Sequence, residues 1–182
     1  MKWAEGDILE HAKTNTGTAL AFTANSMLVH NKLNMGGGAA KDVRDEYPGV
    51  DAAFFEILSE GVNDNCVLSD YHLCAVETEG RTIIAVQVKR DTREKATPNA
   101  KRAWYELARR SLEHLAVWQE ATGTPVVINC PLIGLGGFST YPEFMQVKLM
   151  VDMTLGDADI TVLTLPGDVA KMRDEFRAAR GQ

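Results

Sequence analysis

Three consecutive glycines, residues 36–38, constrain this chain more than any other stretch. They lie in the segment NMGGGAAK (residues 34–41), which follows an apolar run over residues 19–24 that ends at Asn25. Apolar positions then recur at helical spacing until Pro48-Gly49, so the order is strand, loop, glycines, helix. Glycines let a ligand approach the backbone closely, and the start of a helix suits a phosphate. The segment is either a phosphate-binding loop or a flexible connection between a strand and a helix.

The overall composition restricts the class of protein. The chain has 182 residues, of which 45% are hydrophobic and 24% charged, as in one globular domain over residues 1–182. A net charge of -6 argues against direct nucleic-acid binding, but it leaves room for a local positive pocket.

Cysteine usage and the N-terminus indicate a compartment. Cys66, Cys74 and Cys130 form no CxxC pair and leave one cysteine over, so we expect free thiols in a reducing environment. No cluster of His, Cys and Asp has ligand spacing, so we expect no metal and no other cofactor. Residues 1–7 lack an apolar signal region, and no apolar run is long enough to span a bilayer. The sequence therefore predicts a cytoplasmic protein without a membrane partner.

Strand and helix patterns alternate along the chain. We predict strands at residues 20–23, 72–76, 82–88, 125–130 and 160–165, a short one before Gly6, and helices at residues 39–47, 50–61, 98–122, 142–153 and 168–180. The turn at residues 77–81 makes an antiparallel hairpin of two of these strands. The predicted fold is a three-layer α/β/α sandwich whose mixed, mostly parallel sheet has about six strands.

A second glycine loop, residues 131–139 (PLIGLGGFS), also leaves a buried strand and leads into a helix. The two loops can lie side by side at one edge of the sheet, with Asp7 and Asn25 near neighbouring strand ends. This arrangement suggests a diphosphate ligand with a polar group at each end. Asp7 either caps the next turn or accepts a hydrogen bond from a ligand amine. Neither GxxxxGK[ST] nor a complete dinucleotide fingerprint is present.

Four segments in this order resemble the macro domain family. They are Gly6-Asp7-Ile8, Asn25, residues 34–40 and residues 131–138, and the resemblance covers roughly residues 3–176. It implies that ADP-ribose, free or attached to a macromolecule, is the partner. Asp7 would bond the adenine amine, Ile8 would face the ring, and Phe138 would pack by the distal ribose. The ligand-binding residues that the resemblance implies are Asp7, Ile8, Asn25, Asn34, Gly36, Gly37, Gly38, Ala39, Gly134, Leu135, Gly136, Gly137 and Phe138.

Within that family the chain looks most like the branch that removes ADP-ribose from glutamate or from DNA bases. In that branch a lysine attacks the distal ribose, and Lys89 matches its position. The assisting acid has no match, because residues 134–139 contain neither Asp nor Glu. A longer insertion after Asn25 brings in His30 and Asn34. The candidate catalytic residues are Lys89, as nucleophile, and Asn25, as a group that holds the distal ribose or aligns a water.

Three functions follow as alternatives. The first is an enzyme that hydrolyses an ADP-ribosyl linkage or a related phosphoester such as ADP-ribose-1''-phosphate. The second is a non-catalytic reader that binds ADP-ribose without turnover. The third is an α/β protein whose glycine loops are tight turns and whose function lies on a partner surface.

Overall fold

One six-stranded sheet organises the computed structural model, which describes residues 1–60, 62, 65–78, 80–133 and 138–180. The strands are β1 (Lys2–Glu5), β2 (Ala19–Ala24), β3 (Leu73–Thr78), β4 (Arg81–Gln87), β5 (Val126–Asn129) and β6 (Ile160–Thr164). The helices are α1 (Ile8–Thr14), α2 (Gly38–Glu46), α3 (Val50–Leu58), α4 (Pro98–Thr122), α5 (Tyr141–Leu155) and α6 (Asp168–Ala179).

The strand order is β1-β6-β5-β2-β4-β3, and the sheet is mixed as predicted. Every neighbouring pair is parallel except β3 and β4, which form the predicted antiparallel hairpin. Parallel neighbours align their carboxyl ends, so Ala24, Gln87, Asn129 and Thr164 finish at one edge of the sheet. The loops that carry the predicted site leave from this edge.

Hydrophobic cores cover both faces of the sheet. Alternate residues of a strand point to opposite faces, and β2 sends Ala19 and Ala21 to one core and Leu20 and Phe22 to the other. The first core contains buried residues of α4 and α5, and the second contains those of α1, α2 and α3. The predicted three-layer α/β/α sandwich is therefore confirmed.

Two local features differ from the sequence predictions. Helix α1 was not predicted, because its seven residues bury only Ile8 and Ala12, too few positions to show a helical period. Helix α3 ends at Leu58 with Ser59 as its C-cap, before the predicted stop at Gly61, which lies outside the described residues.

Helix α4 follows the prediction, with Pro98 in its first turn and Gly123 in the left-handed conformation at its end. In the described part of the chain, every helix is too short or too polar to cross a membrane.

Candidate functional site

Two adjoining cavities form a cleft at the carboxyl edge of the parallel strands. The proximal cavity, of about 500 Å³, extends from Asp7 to Lys89. The distal cavity, of about 400 Å³, extends from Lys89 to Asn25 and Asn34. The residues that line both cavities are Thr23, Gly37, Lys89 and Thr92. A cleft of this size suits an elongated ligand that occupies both cavities.

The first glycine loop forms the wall where the cavities meet. Gly37 is the N-cap of α2, and Gly38 begins the helix in the left-handed conformation, with φ 56°. A Cβ on Gly36 would lie 3.2 Å from Asn34 Oδ1, so glycine fits this position closely. The first N–H groups of an α-helix have no partner within the helix, and here they border the cleft. The loop thus offers an anion both backbone donors and the positive end of a helix.

Asp7 stands at the far end of the proximal cavity. Its Oδ1 accepts hydrogen bonds from the backbone N–H groups of Leu9, at 2.8 Å, and Glu10, at 3.2 Å. The carboxylate therefore caps α1, the structural alternative that the sequence left open. Oδ2 accepts no hydrogen bond within the described part of the chain, so one oxygen can still face a ligand amine. Ile8, buried beside it, also lines the cavity.

The distal cavity is bordered by polar groups that bind each other. The Asn25 amide donates to the backbone oxygen of Asn34 at 2.7 Å, and its Oδ1 accepts from the Met27 N–H at 2.8 Å. The Met27 sulfur accepts from the Thr92 hydroxyl at 3.1 Å and contacts the Asn34 amide at 3.8 Å. Asn25, only 9% exposed, therefore holds the 25–34 loop in shape while it lines the cavity. His30 is exposed and lies outside the described lining of both cavities.

Lys89 lies at the junction of the cavities and is 7% exposed. Its ammonium donates to the backbone oxygens of Thr92, at 3.3 Å, and Glu94, at 2.9 Å, and stands 4.3 Å from the Trp104 ring centroid. Burial lowers the pKa of Lys89, and the nearby charges of Glu94 and Asp91 oppose that shift. Its neighbour Arg90 points elsewhere and binds Asp70 through two contacts of 2.7 Å.

The sequence analysis missed a side-chain pair on the floor of the cleft. The Asn129 amide donates to the Thr23 hydroxyl at 2.9 Å, and the Thr23 N–H donates to Asn129 Oδ1 at 3.0 Å. The Thr23 proton is then free to donate to a ligand. The pair joins β2 to β5, two strands that local sequence patterns cannot place beside each other. Asp42, Asp168 and Met172 were missed for the same reason and also line the proximal cavity.

The second glycine loop is described only at its ends. The predicted ligand contacts Gly134, Leu135, Gly136 and Gly137 lie outside the described residues. An isolated bridge joins Ile133, which lines the proximal cavity, to Phe138. Phe138 is 5% exposed and packs in the core beside α4 and α5, with Lys101 Nζ 5.5 Å from its ring centroid. It is outside the described lining of either cavity, and its predicted position by a ribose stays a prediction.

The described residues contain no group of three side chains able to hold a metal ion. The described lining of the cleft presents backbone N–H groups, carboxylates, amides, hydroxyls, a thiol and one buried lysine.

Solved structures share this architecture. The macrodomain of Thermus aquaticus DarG matches with a TM-score of 0.65 at 17% identity, over 91% of this chain and 97% of that chain. The macrodomain of Mycobacterium tuberculosis DarG matches with a TM-score of 0.60 at 18% identity, over 89% and 95%. An Oceanobacillus iheyensis macrodomain mutant with ADPR matches with a TM-score of 0.63 at 15% identity, over 99% and 93%. No family model matches the sequence, and no curated protein does.

Proposed function

The chain has the macrodomain fold, and on that premise we propose that it binds ADP-ribose in the cleft and hydrolyses an ADP-ribosyl linkage. One observation carries this proposal: a continuous cleft in which the start of α2 separates a carboxylate at one end from a buried lysine at the other. The similar structure of the Oceanobacillus iheyensis macrodomain mutant is one with ADPR, which supports the choice of ligand.

The cleft can hold the parts of ADP-ribose in their covalent order. Asp7 and Ile8 would bind the adenine, with the free Asp7 oxygen accepting from the exocyclic amine. Gly37, Gly38 and Ala39 would bind the diphosphate through backbone N–H groups. The distal ribose would then lie against Lys89, Asn25 and Asn34 in the distal cavity. While it is protonated, Lys89 would also bring a positive charge to the diphosphate side of that cavity.

Hydrolysis would begin at the anomeric carbon of the distal ribose. A neutral Lys89 amine would attack this carbon, and the leaving group would depart with the electron pair of its bond. The positively charged nitrogen of the adduct would then lose a proton. Water would then attack the same carbon and release ADP-ribose and the free amine. The low exposure of Lys89 favours this chemistry, because burial lowers its pKa and increases the neutral fraction.

A reader without turnover is the second candidate, and the contacts of Lys89 support it. Two backbone oxygens and the Trp104 ring all stabilise the ammonium form, which is not a nucleophile. The second glycine loop also contains no Asp or Glu to assist the reaction. Under either candidate the partner is ADP-ribose or an ADP-ribosylated macromolecule, including a modified base. We further propose a cytoplasmic location, in keeping with the free thiols of Cys66, Cys74 and Cys130.

Substitution of Gly37 tests the ligand and the position of the diphosphate. Gly37 has an extended backbone, with φ -158°, and an added Cβ would meet no described atom within 4 Å. Gly37→Ala should therefore fold normally and bind ADP-ribose with little loss. Gly37→Glu should weaken binding by about a hundredfold, because its carboxylate would face the diphosphate.

Calorimetric titration with ADP-ribose, with AMP as a comparison ligand, measures both variants and the wild type. Thermal unfolding of each variant checks that the fold is intact. If the wild type gives no heat with ADP-ribose and ADP-ribose displaces no other nucleotide, both candidate functions are wrong. If Gly37→Glu binds as tightly as Gly37→Ala, the diphosphate lies elsewhere.

A further inference from the structure

Charge is distributed unevenly along the proximal cavity. Three carboxylates line it, those of Asp7, Asp42 and Asp168, whereas Lys89 is the one cation in its described lining and lies at the distal end. The loop residues 134–137, outside the described part, are glycine and leucine and add no charge. The end of the cleft away from Lys89 is therefore acidic.

Two of these carboxylates are not paired with any cation among the described residues. The side-chain carboxylates of Asp42 and Asp168 make no ion pair or hydrogen bond within the described part of the chain. One helical turn away on α2, Asp45 differs, because it binds Lys41 and Arg44 at 2.8 Å each. The pKa of Asp45 is lowered by these hydrogen bonds. The charge of Asp42 therefore faces the cavity while that of Asp45 is compensated on the surface.

The covalent order of ADP-ribose decides which part of the ligand meets these charges, and this step rests on the proposed function. The adenosine ribose joins the adenine to the diphosphate. With adenine beside Asp7 and Ile8 and the diphosphate at the start of α2, this ribose lies between them. Asp42, on α2, and Asp168, at the start of α6, line the same cavity. The ribose hydroxyls can face these carboxylates as hydrogen-bond donors, whereas a phosphate there would be repelled.

We propose that Asp42 and Asp168 are specificity-determining residues that restrict the cleft to ADP-ribose with an unsubstituted adenosine ribose. A ligand with a phosphate on that ribose binds more weakly because two like charges oppose it.

The test compares ADP-ribose with ADP-ribose 2'-phosphate by calorimetry on the full chain. The wild type should bind ADP-ribose about tenfold more tightly at low salt, and added salt should reduce that ratio. Asp42→Asn and Asp168→Asn should each reduce it to about threefold, and the double variant should bring it near unity. Asp45→Asn is the matched control, since it removes the same charge from the same helix outside the cavity, and it should leave the ratio unchanged.

Each outcome has one meaning. If the wild type binds both ligands equally, the proposal is overturned. It is also overturned if the affinity ratio persists in the double variant, because the discrimination would then be steric and not electrostatic. An equal effect from Asp45→Asn would also overturn it, because general charge would then explain the ratio. Failure of ADP-ribose itself to bind would instead refute the proposed function, so the two failures are separable.

Discussion

The two cavities of the cleft differ in how their polar groups are used. In the proximal cavity, the carboxylates of Asp42 and Asp168 bind no group in the described structure. The first N–H groups of α2 have no partner within their helix. In the distal cavity, Asn25 and Met27 are bound to neighbouring groups. Asp7 Oδ1 and the Thr23–Asn129 pair of the proximal cavity are also bound to protein groups. The proximal cavity nevertheless keeps two carboxylates and the start of a helix available to a ligand, whereas most of the described polar groups of the distal cavity bind one another.

This difference assigns separate tasks to the two halves. A ligand can bind in the proximal cavity without breaking protein hydrogen bonds, so this half is suited to affinity. The distal cavity keeps its shape through its own network, so it is suited to holding a ribose in one orientation beside Lys89. Predictions that separate binding, stability and turnover therefore test the comparison directly.

The largest expected effect is on turnover in the distal cavity. Lys89→Met keeps the apolar stem and removes the amine, so hydrolysis of an ADP-ribosylated protein should fall at least about a hundredfold. ADP-ribose affinity should fall much less, because most proposed contacts lie in the proximal cavity. Arg90→Met is the control, since Arg90 binds Asp70 away from the cleft and should leave both quantities unchanged. Release of ADP-ribose measured over time, with calorimetric binding in parallel, distinguishes the cases.

Two results would change this view of Lys89. Full turnover by Lys89→Met would exclude the lysine as nucleophile and leave water as the attacking group. Tight ADP-ribose binding by a wild type that releases none from any linkage tested would favour the reader.

An intermediate effect is expected on stability, again in the distal cavity. Asn25→Ala leaves the Met27 N–H and the Asn34 oxygen without their partner, so the free energy of unfolding should fall by about 2 kcal/mol. Asn15→Ala is a matched control, since that side chain bonds the backbone oxygen of His11 at an exposed helix end and should cost a few tenths of a kcal/mol. Urea denaturation measures both variants. If both variants lose the same free energy of unfolding, the hydrogen bonds of Asn25 stabilise the fold no more than one exposed hydrogen bond does.

The smallest expected effect concerns the cap of α1 in the proximal cavity. Asp7→Ala should reduce the free energy of unfolding by about 1 kcal/mol, because Leu9 and Glu10 lose their acceptor. Asp7→Asn keeps an acceptor oxygen at the N-cap and should restore the stability, yet bind ADP-ribose about fivefold more weakly than the wild type. Denaturation and calorimetry on the same samples separate the two roles. If Asp7→Asn binds like the wild type, Asp7 serves the helix alone.

Local patterns were sufficient for most of the architecture. Runs of buried residues gave five of the strands, and helical spacing with Pro98 and Gly123 gave the longest helix close to its observed ends. The glycine segment also predicted a strand–loop–helix unit, and the structure places it at the cleft. Helix α1 was not predicted because it is too short to show a helical hydrophobic period.

Local sequence patterns did not predict which groups each side chain contacts. The sequence placed Asn25 at a strand end, but only the folded 25–34 loop shows that its amide binds Asn34 and Met27. Phe138 was assigned to a ribose by its position in a motif, and only the structure shows that its ring packs in the core beside α4 and α5.

What the sequence by itself determined is every helix and strand except α1, the glycine loop, and the lysine just beyond the end of β4. Those features depend on neighbours within one or two turns, whose spacing is written directly in the chain. The tertiary structure alone decided that Thr23 bonds Asn129, 106 positions away, and that Asp42 and Asp168 border one cavity. Such contacts depend on strand order and helix placement, which are set by burial of the two cores as a whole and not by any local segment.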